Sequence, residues 1–510
     1  MLDKIKKILC SRFFLGAVCL LLEFALFIVL FTVVADSFWP ITVLAWIFYI
    51  VTLLYILNRD EIPENKLPWL VIMLLLPVVG AAVFVLLSSN KASKKEYQRF
   101  EKSAKKMRPY MQQTNNIEKL KELDVDAYAQ ARFLYSASKM PVFDKSKTTY
   151  YPLGEDFLSD YLNELKKAKH FIFLEYFIVQ EGVMWDSIHK VLKDKVSHGV
   201  DVYMLYDDLG CIATLPDNYY KELSEEGIHC IPCNKFKPIL SHIHNNRDHR
   251  KITVIDGKVG FTGGINLADE YINVIEKHGH WKDTAVKIEG EAVKSLTALF
   301  LSIWNMQTQK QLDSEKYLAF SKGGDCGKGY VIPFGDSPSP IDTEDIGKTV
   351  YINMLNCARE YVYICTPYLI CDRELLNAMC NASRRGVQVK IITPHIPDKK
   401  LVFRMTQSNY KKLIEAGVKV YEYTPGFIHA KSFVCDDKFA VCGTINLDYR
   451  SLVHHFECGA WMYNTECIMD MKNDFKTTAA KSQAISHKRA TLKVVDRVFA
   501  EVMKVFSPLL

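Results

Sequence analysis

Hydrophobic and polar positions divide the chain into an apolar opening and a long alternating remainder. The opening holds three runs with almost no charge, Phe13 to Ala35, Phe38 to Leu57 and Leu67 to Leu87. As a helix, each is long enough to cross about 30 Å of hydrocarbon at about 1.5 Å per residue. Residues 1–90 are therefore predicted to be a membrane anchor with two or three transmembrane helices. A signal peptide ending near Val33-Val34-Ala35 is the weaker reading of the first run, whose apolar core is too long for one. Glu23 within that run either faces a helix partner or is a tolerated defect.

A polar, basic helical linker follows at 91–128, and the pattern then passes twice through the same elements. An amphipathic helix leads into the strand run Phe171 to Ile178 in one pass and Tyr361 to Ile370 in the other, both rich in β-branched and aromatic residues. Gly199 and Gly386, placed to cap a helix, open the second strands, Gly199 to Tyr206 and Gly386 to Thr393. Third strands start at Gly227 and Gly417. Helix alternating with short apolar strand predicts an α/β protein of two duplicated α-β-α halves, each with a central mixed or parallel sheet. The halves are 129–320 and 346–510. Between them 321–345 reads as a connecting loop, because Ser321 to Pro340 is dense in Gly, Pro, Ser and Asp.

Charge changes the picture at the anchor. The net charge of +6 is mild for 510 residues but unevenly spread. Lys4, Lys6, Lys7 and Arg12 precede the apolar runs; Lys91, Lys94, Lys95, Arg99, Lys102, Lys105, Lys106 and Arg108 follow them. Both flanks read as cytoplasmic, yet three crossings would separate them. Either the heavier second cluster decides, or one run enters without crossing; the catalytic part is expected in the cytoplasm. Fourteen cysteines without zinc-type pairs indicate free thiols in a reducing compartment. Cys230 and Cys233 form a lone CxxC that reads as sheet core rather than as a metal or redox site.

Where each half reaches its third strand it carries the same short motif: His249-Arg-Lys251-Ile-Thr-Val-Ile-Asp256 and His429-Ala-Lys431-Ser-Phe-Val-Cys-Asp436. Seven residues after each aspartate comes a glycine turn with an asparagine, Gly263-Gly264-Ile-Asn266 and Gly443-Thr444-Ile-Asn446. One copy would mean little; two in matching register are a duplicated site. In a strand, residues i and i+2 share a face, so each His and its Lys reach one place together. Displacement at a phosphodiester needs its charge offset, which Lys251 and Lys431 with Asn266 and Asn446 can do as phosphate-binding donors. It also needs a nucleophile and an acid, roles two imidazoles can fill, and the constellation requires no metal and no cofactor. Asp256 and Asp436 complete the catalytic set, although their odd offset puts them on the opposite strand face, in a supporting position. Asp283 and Glu457 are the candidates for orienting the imidazoles from the far ring nitrogen.

These motifs resemble those of the phospholipase D superfamily, and the chain as a whole is similar to the bacterial cardiolipin synthases. The resemblance rests on Asn246 to Asp256, Gly263 to Tyr271, Trp281-Lys-Asp283, Thr366-Pro-Tyr368, Asn446 to Ser451, and the second and third apolar runs. It implies transfer between two phosphatidylglycerol molecules through a phosphatidyl-histidine, giving cardiolipin and glycerol at a bacterial plasma membrane. It also implies that His249 is the nucleophile and His429 the acid and then base. An additional first apolar run and Thr444 in place of a second glycine depart from the usual pattern. A phospholipase D-type hydrolase or a phosphatidylserine synthase would use the same four residues. A nuclease is disfavoured, since the partners expected are membrane phospholipids and no basic stripe with interleaved aromatics suits nucleic acid. A catalytically vestigial lipid-binding protein is disfavoured because both copies keep His, Lys, Asp and Asn.

Overall fold

The computed structural model describes residues 39–59, 63–88, 94–235, 246–320, 327–339 and 341–507, together with Ala25; the first apolar run and Glu23 lie outside them. Through the first half run β1 (Phe143–Asp144), β2 (Lys147–Tyr151), β3 (Phe171–Tyr176), β4 (Asp201–Asp207), β5 (His229–Cys233), β6 (Ile252–Ile255), β7 (Val259–Gly263), β8 (His280–Lys282) and β9 (Ala285–Glu289). The rest holds β10 (Tyr330–Asp336), β11 (Tyr361–Cys365), β12 (Leu369–Ile370), β13 (Gln388–Pro394), β14 (Lys419–Tyr423), β15 (Gly426–Ile428), β16 (Ser432–Cys435), β17 (Phe439–Gly443), β18 (Leu447–Asp448), β19 (Glu457–Tyr463) and β20 (Ser482–Ala484).

One sheet is ordered β2-β9-β7-β6-β3-β4-β5 and the other β1-β10-β19-β17-β16-β11-β13-β14-β20. The run β9-β7-β6-β3-β4-β5 repeats as β19-β17-β16-β11-β13-β14, so the duplication read from sequence is a duplication of strand order. In each, three strands are parallel and the remainder antiparallel, giving mixed sheets. Gly199 and Gly386 sit at φ of 80° and 96°, as turns from helix into strand demand of a residue without Cβ. The inner sides of both sheets, with helices Val293–Gln307 and Cys467–Ala480, share one apolar layer containing Phe173, Val254, Tyr363, Val434 and Met462. Outer helices cover a separate apolar cluster on each half.

Three expectations need correction. Residues 321–345 are not simply a loop, because β10 lies there and is sandwiched between β1 and β19. Its Gly, Pro and Asp content hid a strand of which six of seven residues are buried. Similarly, β1 and helix Val125–Ser138, from the linker and the first half, pack on the second half. The motif strands β6 and β16 are the fourth of each pass, not the third, and follow β5 and β14.

The anchor also differs. Helix Trp39–Asn58 is long, apolar and outward-exposed, the one helix among the described residues able to cross a membrane. The run Leu67 to Leu87 is two helices, Pro63–Leu75 and Pro77–Leu87, broken where Pro77 starts the second. They fold back on each other: the rings of Trp69 and Phe84 lie 5.4 Å apart, and a Cβ on Gly80 would stand 2.9 Å from the Met73 backbone. At about 1.5 Å per residue a straight helix would separate positions 69 and 84 by about 22 Å. Leu74 and Leu75 at the hairpin tip are 76% and 71% exposed.

Candidate active site

His249 and Lys251 lie on the extended segment entering β6, and His429 and Lys431 on the one entering β16. Each segment is fixed by the other half. The His249 amide donates to the Phe456 carbonyl at 3.0 Å, and the Phe456 amide to the Arg247 carbonyl at 2.8 Å. In mirror fashion, the His429 amide donates to the Lys282 carbonyl at 2.7 Å, where β15 pairs in parallel with β8. The residue after each carbonyl is the carboxylate that holds the imidazole. His249 Nδ1 bonds Glu457 at 2.9 and 3.0 Å, and His429 Nδ1 bonds Asp283 at 2.6 Å. Both carboxylates belong to the opposite half, an exchange that sequence could suggest by residue type but not by partner.

With Nδ1 held by a carboxylate, each ring is left with Nε2 for chemistry. The rings share a cavity of about 370 Å³ lined also by Phe177, Asn266, Tyr271, Asn446 and His455. Asn266 is engaged, accepting from the Ile178 amide at 3.0 Å and donating to the Tyr271 hydroxyl at 2.6 Å. Asn446 Oδ1 has no hydrogen-bond partner among the described residues. The lysine side chains are buried behind the histidines, each bonding its histidine's carbonyl, and Lys431 Nζ lies 2.8 Å from His429 Nδ1.

Burial holds both histidines well below their ordinary pKa, and for His429 the Lys431 and Lys251 ammoniums add to it. Burial opposes the ionised form of Glu457, yet His249 and His455 keep it below the usual carboxylate value. Asp283 is instead pushed up to about 7 by burial, against Lys431. Lys251 is brought down to about 8 and Lys431 to about 7, again by burial. The two ends are thus unequal: an ionised Glu457 behind His249, and a pair at His429 and Asp283 that can share a proton near neutrality.

Asp256 and Asp436 do not reach this cavity. Their backbones are left-handed, at φ of 51° and 52°, in the turns after β6 and β16. Asp256 accepts from the amides of Lys169, His170 and Phe171 at 2.8, 2.8 and 2.9 Å. Asp436 accepts from Arg359, Glu360 and Tyr361 at 2.7, 3.0 and 2.7 Å. Their inclusion in the catalytic set is corrected: they cap the entries to β3 and β11, and their carboxylates are spent on backbone donors. Cys230 and Cys233 are free thiols on β5, with pKa values raised well above normal by burial.

Sequence reasoning missed three supports. Glu175 is a carboxyl group inside the apolar strand β3; Arg250 Nε lies 2.8 Å from its Oε1 as an ion-pair contact. Asp207, ending β4, accepts from Arg247 Nε at 3.1 Å and the Asp248 amide at 3.0 Å. A carboxylate in an otherwise buried strand was the available signal. The third is His455, whose ring centre lies 5.5 Å from that of His249 and whose Nδ1 is 3.5 Å from Glu457. His249, His455 and Glu457 offer ligand atoms within 4.8 Å of one another, a spacing that suits a metal ion. An ion there would take the atoms that orient His249. Thr444 is also explained: its hydroxyl donates to Glu457, whereas a Cβ on Gly264 would stand 2.0 Å from Asp283 Oδ1.

Residues 161–304 and 351–479, more than half of the chain, match the family described as "Cardiolipin synthase, PLD-like domain", and 45–88 match "Phospholipase_D-nuclease N-terminal". An uncharacterized protein of Streptococcus mutans is 44% identical over 90% of this chain and 99% of its own. The cardiolipin synthase of Alkalihalophilus pseudofirmus is 33% identical over 91% of this chain and 92% of its own. Among solved structures, the phosphatidylserine synthase of Haemophilus influenzae superposes with a TM-score of 0.55 at 16% identity, covering 75% of this chain and 97% of that one.

Proposed function

The chain belongs to the cardiolipin synthase family of phospholipase D-like proteins, and from that membership we propose how its own residues carry out phosphatidyl transfer. It is a phosphatidyltransferase of the cardiolipin synthase type. His249 Nε2 attacks the phosphorus of one phosphatidylglycerol while His429 gives its proton to the departing glycerol oxygen. The glycerol hydroxyl of a second phosphatidylglycerol then loses its proton to His429 and attacks the phosphatidyl-histidine. Cardiolipin and one glycerol result, and His249 is restored.

The observation that carries this reading is the pair of imidazoles facing one cavity, each held at Nδ1 by a carboxylate. The inequality between the pairs supports the division of labour: burial keeps His249 neutral while the ionised Glu457 holds its Nδ1, leaving Nε2 as the nucleophile, and the proton shared near neutrality at His429 and Asp283 suits the acid. Lys251 and Lys431 offset phosphate charge from behind the rings, and Asn446 Oδ1 is a free acceptor at the cavity wall.

The fold-back of 63–87 supports a reading of the anchor in which that hairpin enters the membrane and returns. If the first apolar run and Trp39–Asn58 each cross, both basic flanks emerge on one side, which the charge bias makes the cytoplasmic one. The test is reconstitution with phosphatidylglycerol vesicles and resolution of the products. Cardiolipin with equimolar glycerol is expected; phosphatidic acid alone would sink the proposal in favour of hydrolysis.

A further inference from the structure

The last described helix, Val494–Phe506, has an apolar face that nothing among the described residues covers. Val494, Val495, Val498, Phe499 and Val502 are 49% to 79% exposed. On a helix they form one stripe, at i, i+1, i+4, i+5 and i+8. Ala500 and Met503, on the other side, face the protein; Met503 packs on the cluster of Ile370, Met405 and Tyr449. The approach to this helix is basic, with Lys488, Arg489, Lys493 and Arg497 exposed and Asp496 the acidic residue among them. An exposed apolar stripe beside exposed cations is what a helix lying in an anionic lipid interface presents.

Two features say what covers that stripe. The helix borders the first helix of the apolar hairpin, Pro63–Leu75, so its face continues a surface already built for hydrocarbon. Between them lies a cavity of about 440 Å³ lined by Glu64, Leu67, Arg373, Lys412, Lys504 and Tyr449. Ile370, Tyr449 and Ser507 belong both to this cavity and to the one holding the two histidines.

We propose that Val494–Phe506 lies in the membrane interface and, with the hairpin, forms the portal through which an anionic glycerophospholipid passes from the bilayer to the histidines. Arg373, Lys412 and Lys504 meet the lipid phosphate on the way, and the acyl chains remain in the bilayer beside Val498 and Phe499. The inference rests on the phosphatidylglycerol reading above.

Two measurements on full-length protein decide it. In the first, Phe499 is replaced by photoreactive benzoylphenylalanine and the protein is irradiated in vesicles of radiolabelled phosphatidylglycerol. Labelled lipid on the chain is expected; no adduct, or an adduct joining two copies of the chain, overturns the proposal. In the second, the double variant Val498→Asp, Phe499→Asp loses vesicle turnover by about tenfold or more but keeps turnover of a monomeric short-chain phosphatidylglycerol within about twofold. Equal loss in both formats, or none in vesicles, overturns it. If the parent protein converts neither substrate, the transferase reading fails, while the photolabelling still decides where the helix lies.

Discussion

At the scale of single residues, the site is defined by which nitrogen is held and which is free. His249→Ala and His429→Ala should each lower cardiolipin formation by about 10³-fold or more, read from product lipids, because one removes the nucleophile and the other the acid. In His429→Ala, protein denatured at alkaline pH after exposure to phosphate-labelled substrate should carry label on His249; absence of label would make His429 the nucleophile. Gly264→Ala drives a methyl group into the Asp283 carboxylate and should cost about 10²-fold in kcat with little change in unfolding, since the oriented imidazole turns. The pH profile has a definite sign. Asp283 and Lys431, at about 7, and Lys251, at about 8, lose protons as pH rises, removing the acid's proton and the positive charge behind the two rings. Turnover should therefore fall above about pH 8. Asp283→Asn removes a carboxylate that raises the Lys431 pKa, so it should move this alkaline limb to lower pH as well as reduce kcat. The histidines, lysines and both orienting carboxylates were legible from residue type and spacing. His455 was not, since a histidine beside Phe456-Glu457 gains meaning only once β19 brings it to the other half.

At the scale of elements, much of what looks chemical is architectural. Asp256→Ala strips three amides, that of Phe171 buried, of their acceptor and should cost about 1–3 kcal/mol in a denaturant titration, while turnover per folded molecule is kept. Loss of activity without loss of stability would return Asp256 to the chemistry. The paired strands and their glycine-opened starts could be read in advance because burial on both sides leaves β-branched and aromatic runs. β10 could not, because Gly335, Pro333 and Asp336 write a loop's composition into a buried strand. Nor could the hairpin: hydropathy sums over Leu67 to Leu87 without registering that Pro77 turns the chain back.

At the scale of the whole molecule, the hairpin proposed to enter and leave the membrane and the joined halves make separate demands. Reporter domains fused before residue 1 and after residue 510 should lie on the same side of the membrane; opposite sides would mean an odd number of crossings. Mixing His249→Ala and His429→Ala chains should restore no turnover, because each chain builds its cavity from its own two halves. Recovered activity would mean that the cavity is shared between chains. The carboxylates that cross between halves carry a historical consequence. A lone half would hold a histidine without its partner and a carboxylate without its histidine, so it could be competent only beside a second copy related by a twofold axis. Fusion into one chain released the copies from identity. Glycine against threonine at 264 and 444, and aspartate against glutamate at 283 and 457, are where the two matched sites now differ.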